Sequence, residues 1–189
     1  MSEAATATRS RRERDTGNGT PSERTSPDLR LGGRRIVVEP HNCFACGTLN
    51  EHGLQLTLHA EDGRCWTELS LGKGFEGWDG IAHGGVVCTL LDEVMAWATI
   101  EHEAWGVTAR MTVSFKRPVP IETAIRGEGW VEDARKRLIH TGGRIVDVAS
   151  GIILATAAGT YMAASPERRE ELRRRYAFRL VDEPAPVEA

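Results

Sequence analysis

Two features of this chain are of a kind that does chemistry: the tripeptide His83-Gly84-Gly85 and the carboxylate of Asp92, eight residues beyond Gly84. Apolar residues from Gly84 to about Glu103 recur with helical spacing. At about 100° per residue, Val86, Val87, Leu90, Leu91, Val94 and Ala98 share one broad face, which is the expected core contact. Asp92 points nearly the opposite way, among Gly85, Cys88, Thr89, Ala96 and Thr99, all of them small. A solvated helix face normally carries long charged side chains, so a strip of small residues around one acid suggests close packing by something else. At the other end, the first turn of a helix has backbone N–H groups without helical partners, at the positive end of the dipole. Glycine there lets a ligand oxygen approach without meeting a Cβ, which makes His83-Gly84-Gly85 a ready oxyanion or phosphate site. Eight residues of helix separate Gly84 from Asp92 by roughly 12 Å, too far for both to serve one carbonyl. Two such helices lying antiparallel would bring each Asp92 to its neighbour's N-terminus. The spacing therefore predicts a dimer.

The elements that must hold this helix are strands. Gly53–Leu58 and Cys65–Leu71 alternate apolar and polar residues around Glu61-Asp62-Gly63, and are expected to pair as a hairpin. A glycine-rich loop runs from Gly72 to His83. Beyond the helix, Val107–Lys116, Ala124–Glu132, Leu138–Asp147 and Ile152–Ala163 read as four further strands, the first stopped by Pro118 and Pro120. Ser165–Tyr176 reads as a short charged helix with Ser165 as N-cap and Pro166 at its first position. About six antiparallel strands must cover their apolar face, and one long helix is available to do it. The expected class is α+β, with the sheet curled around that helix. Residues 1–35 hold almost no large apolar side chain and are expected to be a disordered tail, with the folded domain over 36–164 and the charged helix and a tail over 165–189.

Composition narrows the function. With 24 Lys+Arg against 27 Asp+Glu among 189 residues, the net charge of -3 disfavours a nucleic-acid partner. No apolar run has the length of a membrane span, and the first residues lack the apolar stretch of a secretory signal, so the expected location is cytoplasmic. Four cysteines are too few for a disulfide scaffold. His41, Cys43, Cys46 and His52 invite a zinc reading, but no second C-x-x-C accompanies them. The expectation is a tight turn capped by Gly47, with no metal and no cofactor. Cys88 faces the proposed site without a base at evident spacing.

The segment Gly77–Trp97, GWDGIAHGGVVCTLLDEVMAW, resembles the hot dog fold acyl-CoA thioesterases of the PaaI-like group, and especially the branch containing thioesterase superfamily member 4. The likeness continues through TARMTVSFKRPVPI (Thr108–Ile121) and upstream in CFACGTLNEHGLQL, covering about Cys43 to Met162. It implies an acyl-CoA substrate and a homodimer or dimer of dimers, while charge and the lack of an apolar span lead to the expectation of no nucleic-acid and no membrane partner. By the same resemblance, the Gly84 amide, following His83, polarises the thioester carbonyl, and Asp92 of the partner subunit acts as base or nucleophile. Thr108 would assist from the start of the next strand. Gly85 and Trp78 would line the acyl site, and Lys116 and Arg117 would meet the phosphates of CoA. Some relatives carry Asn or Gln before the His; here Glu76-Gly77-Trp78-Asp79 has no amide side chain. The rival readings are a non-catalytic acyl-CoA-binding module and, further off, a hydratase or dehydratase of the same fold.

Overall fold

A computed structural model describes residues 28–31, 34–100 and 105–181. Strands β1 (Asp28–Leu31), β2 (Arg34–Val37), β3 (His59–Glu61) and β4 (Arg64–Ser70) precede a one-turn 3-10 helix and the short pair β5 (Glu76–Trp78) and β6 (Ile81–Ala82). Helix α1 (Gly84–Ala98) follows, then β7 (Gly106–Phe115), β8 (Ala124–Arg135), β9 (Leu138–Asp147) and β10 (Ile153–Ala163). Helix α2 (Pro166–Arg175) and β11 (Arg179–Val181) complete the described chain. Nine strands form one sheet in the order β11-β2-β1-β3-β4-β8-β9-β10-β7, all pairs antiparallel except β1 with β3. The expected curl of an antiparallel sheet around one long helix is what forms: α1 contacts β3, β4 and every strand from β7 to β10.

Val87, Leu90, Leu91, Val94, Met95 and Ala98 of α1 are buried against the sheet. Each large apolar side chain so buried contributes roughly 1.5–3 kcal/mol. Val86 was expected among them but lies at the border of the face and is only half-buried. Met95 takes the opposite border, because Gly143 and Gly159 of the sheet leave room for its thioether chain. The helix also ends earlier than Glu103. Thr99 caps it, its hydroxyl donating to the Ala96 carbonyl at 2.7 Å, while residues 101–104 lie outside the described ones.

The helix backbone sits directly on β8. A Cβ at Gly129 would fall 2.5 Å from the carbonyl carbon and oxygen of Val94 and 2.7 Å from the Met95 nitrogen, none of which can swing aside. Gly129→Ala is therefore expected to lower stability by about 1–3 kcal/mol through overpacking. The check is the denaturant midpoint; an unchanged midpoint would mean that α1 does not seat there.

The hairpin around Asp62-Gly63 forms, but from His59 rather than Gly53. Gly53–Leu58 is not a strand: Gln55 takes φ 48°, which interrupts the extended run, and Leu54 and Leu56 instead donate to the carbonyls of Phe44 and Ala45. Its alternation survives in burial, with Leu54, Leu56 and Leu58 all inside. Pairing also reaches back before Ile36, since β1 joins β2 and β3; residues 1–27 of the expected tail lie outside the described ones. Helix α2 is capped as expected, Ser165 accepting from the Arg168 amide. Among the described residues no helix is long and apolar enough to cross a membrane.

Candidate active site

The loop before α1 is braced so that His83 enters the helix in a fixed pose. The Glu76 carboxylate accepts from the Gly80 amide at 2.6 Å, and the His83 amide donates to the Phe75 carbonyl at 2.8 Å. His83 is the N-cap, in extended conformation (φ -62°, ψ 133°), and its ring Nδ1 accepts from the Gly85 amide at 3.0 Å. The Val86 and Val87 amides both reach the His83 carbonyl, at 2.9 and 3.2 Å. Of the four orphan donors of the first turn, only the Gly84 N–H is left without a partner among the described residues. It is exposed, with the Phe115 ring beside it. His83 thus selects which amide faces outward.

Asp92, two turns on, is half-buried. Its Oδ1 accepts from the Thr108 hydroxyl at 2.7 Å and from the Tyr161 phenol at 2.8 Å. The phenol also lies 2.9 Å from the Asp92 carbonyl oxygen, tying the helix backbone to β10. Oδ2 receives no hydrogen bond from the described residues. One carboxylate oxygen is therefore pinned by two hydroxyls, while the other is held by no donor among the described residues. Register explains how both hydroxyls reach one oxygen. Thr108 of β7 pairs with Tyr161 of β10, while the next pair is Arg110 with Thr160, so Ala109 bulges. A bulge re-aims side chains in this way. Burial, then the Asp92 charge, pushes the Tyr161 phenol well above its ordinary range, so it donates and does not release its proton.

Tyr161 is the residue that sequence reasoning missed. Its signal was a buried strand tyrosine on the inward phase of β10, whose hydroxyl needs a partner. Cys88 stands close enough to feel Asp92, but burial first and that charge second raise its thiol, which suits an inert side chain. The other expected site residues scatter more. Gly85 is committed to the His83 ring, and Trp78 is 82% exposed on β5. The amides of Lys116 and Arg117 donate to the Leu154 carbonyl just past β7. Arg117 lines an open groove of about 350 Å³ with Pro118, Asp147, Ser150 and Leu154, which contains neither Gly84 nor Asp92.

The edge of the sheet lies beside this site. β7 pairs on one side only, and its ten residues are mostly exposed, Val107 by 72% and Phe115 by 54%. A long unpaired edge with apolar side chains is a template for another strand.

Residues 79–154 match the family model of the thioesterase superfamily. Similar solved structures include a thioesterase superfamily protein that is 27% identical, over 57% of this chain and 53% of its own, with a TM-score of 0.53. The chain thus spans about half of that protein's length. The PaaI protein of the E. coli phenylacetic acid degradation operon is 18% identical, over 56% of this chain and 75% of its own, at TM-score 0.53. A hypothetical thioesterase from Streptococcus pneumoniae, solved with coenzyme A, is 18% identical over 56% of this chain and 84% of its own, also at 0.53. No curated protein matches the sequence.

Proposed function

From the premise that this chain has the hot dog fold, with residues 79–154 matching the thioesterase superfamily, we propose that it is an acyl-CoA thioesterase working as a homodimer. The observation that carries the reading is the pairing of one unsatisfied amide, Gly84, with one half-pinned carboxylate, Asp92, on the same helix. Thioester hydrolysis needs a donor for the developing oxyanion and a base or nucleophile for the carbonyl carbon. Gly84 N–H supplies the first. Asp92 Oδ2 supplies the second, either by taking a proton from water or by direct attack, while Thr108 and Tyr161 hold Oδ1.

The two groups are roughly 12 Å apart along one helix, so each site takes Gly84 from one protomer and Asp92 from its partner. The exposed edge of β7 and the small-residue face of α1 support this assembly, as a dimer or a dimer of dimers. The coenzyme A seen with the streptococcal thioesterase supports the choice of thioester carrier. Lys116 and Arg117 at the end of β7 are the proposed phosphate contacts, and Trp78 and Phe115 the proposed apolar wall. Four free cysteines fit a reducing compartment, and a cytoplasmic place for the reaction is part of this reading.

The test is a panel of acyl-CoAs, short to long and aromatic, with released CoA read by a thiol reagent. Turnover of at least one acyl class is expected. Tight binding with no turnover of any would favour the non-catalytic module instead. Within the site, Thr108→Val keeps shape and branching but removes one hydroxyl from Oδ1. A kcat loss on the order of 10-fold, about 1.4 kcal/mol, is expected with little change in Tm. Tyr161→Phe should act in the same direction, since it frees the same oxygen. Unchanged kinetics in both would make the hydroxyls scaffold only.

A further inference from the structure

The loop preceding β3 brings sulfur, nitrogen and oxygen donors against α1 in an arrangement that the proposed reaction does not use. We infer that Cys43, Cys46 and Glu93, completed by His41, form a zinc site that clamps this loop to the central helix. The two Sγ atoms and a Glu93 carboxylate oxygen all lie within 4.8 Å of one another. His41 Nε2 is 3.4 Å from Cys46 Sγ, and Cys43 Sγ is 4.0 Å from Glu93 Oε2. Ligands about 2.0–2.3 Å from a tetrahedral zinc stand roughly 3.3–3.8 Å from each other, and the His41–Cys46 and Cys43–Glu93 pairs, at 3.4 and 4.0 Å, are close to that spacing without an ion to gather them.

The groups behind the donors are arranged as they are around metal ligands. His41 Nδ1 is 3.0 Å from the Glu39 carbonyl oxygen, which can only accept, so Nδ1 carries the hydrogen and Nε2 presents a lone pair toward Cys46. Trp97 donates to Glu93 Oε1 at 2.8 Å, one helical turn along, which leaves Oε2 turned to Cys43. A carbonyl behind a histidine and a donor behind a carboxylate are what orient first ligands. The turn carrying the sulfurs is equally fixed. Gly47 donates to the Cys43 carbonyl at 3.0 Å, and a Cβ there would fall 2.3 Å from the Cys43 nitrogen, so only glycine closes it.

Two thiolates, an imidazole and a carboxylate suit a borderline-soft divalent ion, with zinc first. Four protein donors would fill its coordination, so the ion would be structural and not a Lewis acid for the substrate. The sequence expectation is no metal here, and the zinc reading set beside it takes His52 as the fourth donor. The three mutually close donors are Cys43, Cys46 and Glu93, with neither histidine among them; His41 is taken as the fourth because its Nε2 lies against one of them, 3.4 Å from Cys46 Sγ. The clamp joins segments fifty residues apart, at the helix residue next to Asp92.

The experiment uses the full chain, purified under reducing conditions from zinc-supplemented cells. Elemental analysis is expected to give about one zinc per chain. After chelation, titration with Zn²⁺ should restore the stoichiometry, and Co²⁺ should produce thiolate-to-cobalt charge-transfer absorption. Cys43→Ser and Cys46→Ser are each expected to reduce that absorption by half or more and their double variant to abolish it, and Glu93→Gln and His41→Ala to weaken zinc binding at least tenfold. Stripped wild-type protein that takes up no zinc at tens of micromolar would overturn the inference. So would a Cys43–Cys46 disulfide in the reduced preparation, or zinc uptake that ignores the loss of either sulfur. The wild-type titration decides the matter even where a variant fails to fold.

Discussion

Asp92→Asn is expected to lower kcat/KM by about 10²–10⁴-fold, the range for loss of a positioned base. The substitution is close to isosteric, and the asparagine Oδ1 still accepts the hydroxyls that Thr108 and Tyr161 give to Asp92. What disappears is the unpinned oxygen and its charge. Binding made equally in ground and transition states should survive, so KM should change little while kcat falls. Circular dichroism and Tm should match those of the wild type. Retention of more than about a tenth of wild-type kcat/KM would show that Asp92 is neither base nor nucleophile.

Gly84→Pro is the second large effect. Proline is well tolerated at the first position of a helix, because its missing N–H had no helical partner. His83 already has the extended conformation (φ -62°, ψ 133°) that a residue before proline adopts. An added Cβ at Gly84 would meet the Phe115 ring at 3.6 Å, an ordinary contact. The variant should therefore fold and lose only the donor. A rate loss of about 10²–10³-fold is expected, as for other oxyanion donors. An alanine in the same place keeps the N–H and should lose far less. Equal losses for alanine and proline would point to crowding by the side chain and against the amide.

Much of the scaffold is legible in the sequence because its elements are long. β9 begins and ends where alternation predicts, at Leu138 and Asp147, and α1 starts at Gly84 as the helical spacing requires. The short strands β1, β2 and β11 are four residues or fewer and rich in arginine, so no periodicity can build up within them. Gln55 shows a different limit: Gly53–Leu58 alternates like a strand, yet one residue at φ 48° removes it from the ladder while leaving its leucines buried. Gly84, Asp92 and Thr108 could be singled out because they are close in sequence and carry a resemblance. For Tyr161 the sequence offers an inward strand tyrosine but not its partner, since the contact with Asp92 depends on the bulge at Ala109. The Glu93 contact with Cys43 and Cys46 was equally hidden, because an acid on a helix reads as ordinary charge until the loop is laid against it. His83 was placed at the site by its position before the glycines, and its ring proves to cap Gly85.

The composite site is tested most directly by mixing two inactive variants, Gly84→Pro and Asp92→Asn, under conditions of subunit exchange. In a mixed dimer, one site carries both lesions and the other carries neither. Random reassortment of equal amounts makes about half of the dimers mixed, so about a quarter of all sites should be intact. Acyl-CoA hydrolysis is expected to recover toward that quarter of wild-type activity, in step with the mixed dimer counted by native mass spectrometry. Mixed dimers that form without any recovery, or a monomeric protein that hydrolyses thioesters, would contradict a site built from Gly84 of one protomer and Asp92 of its partner.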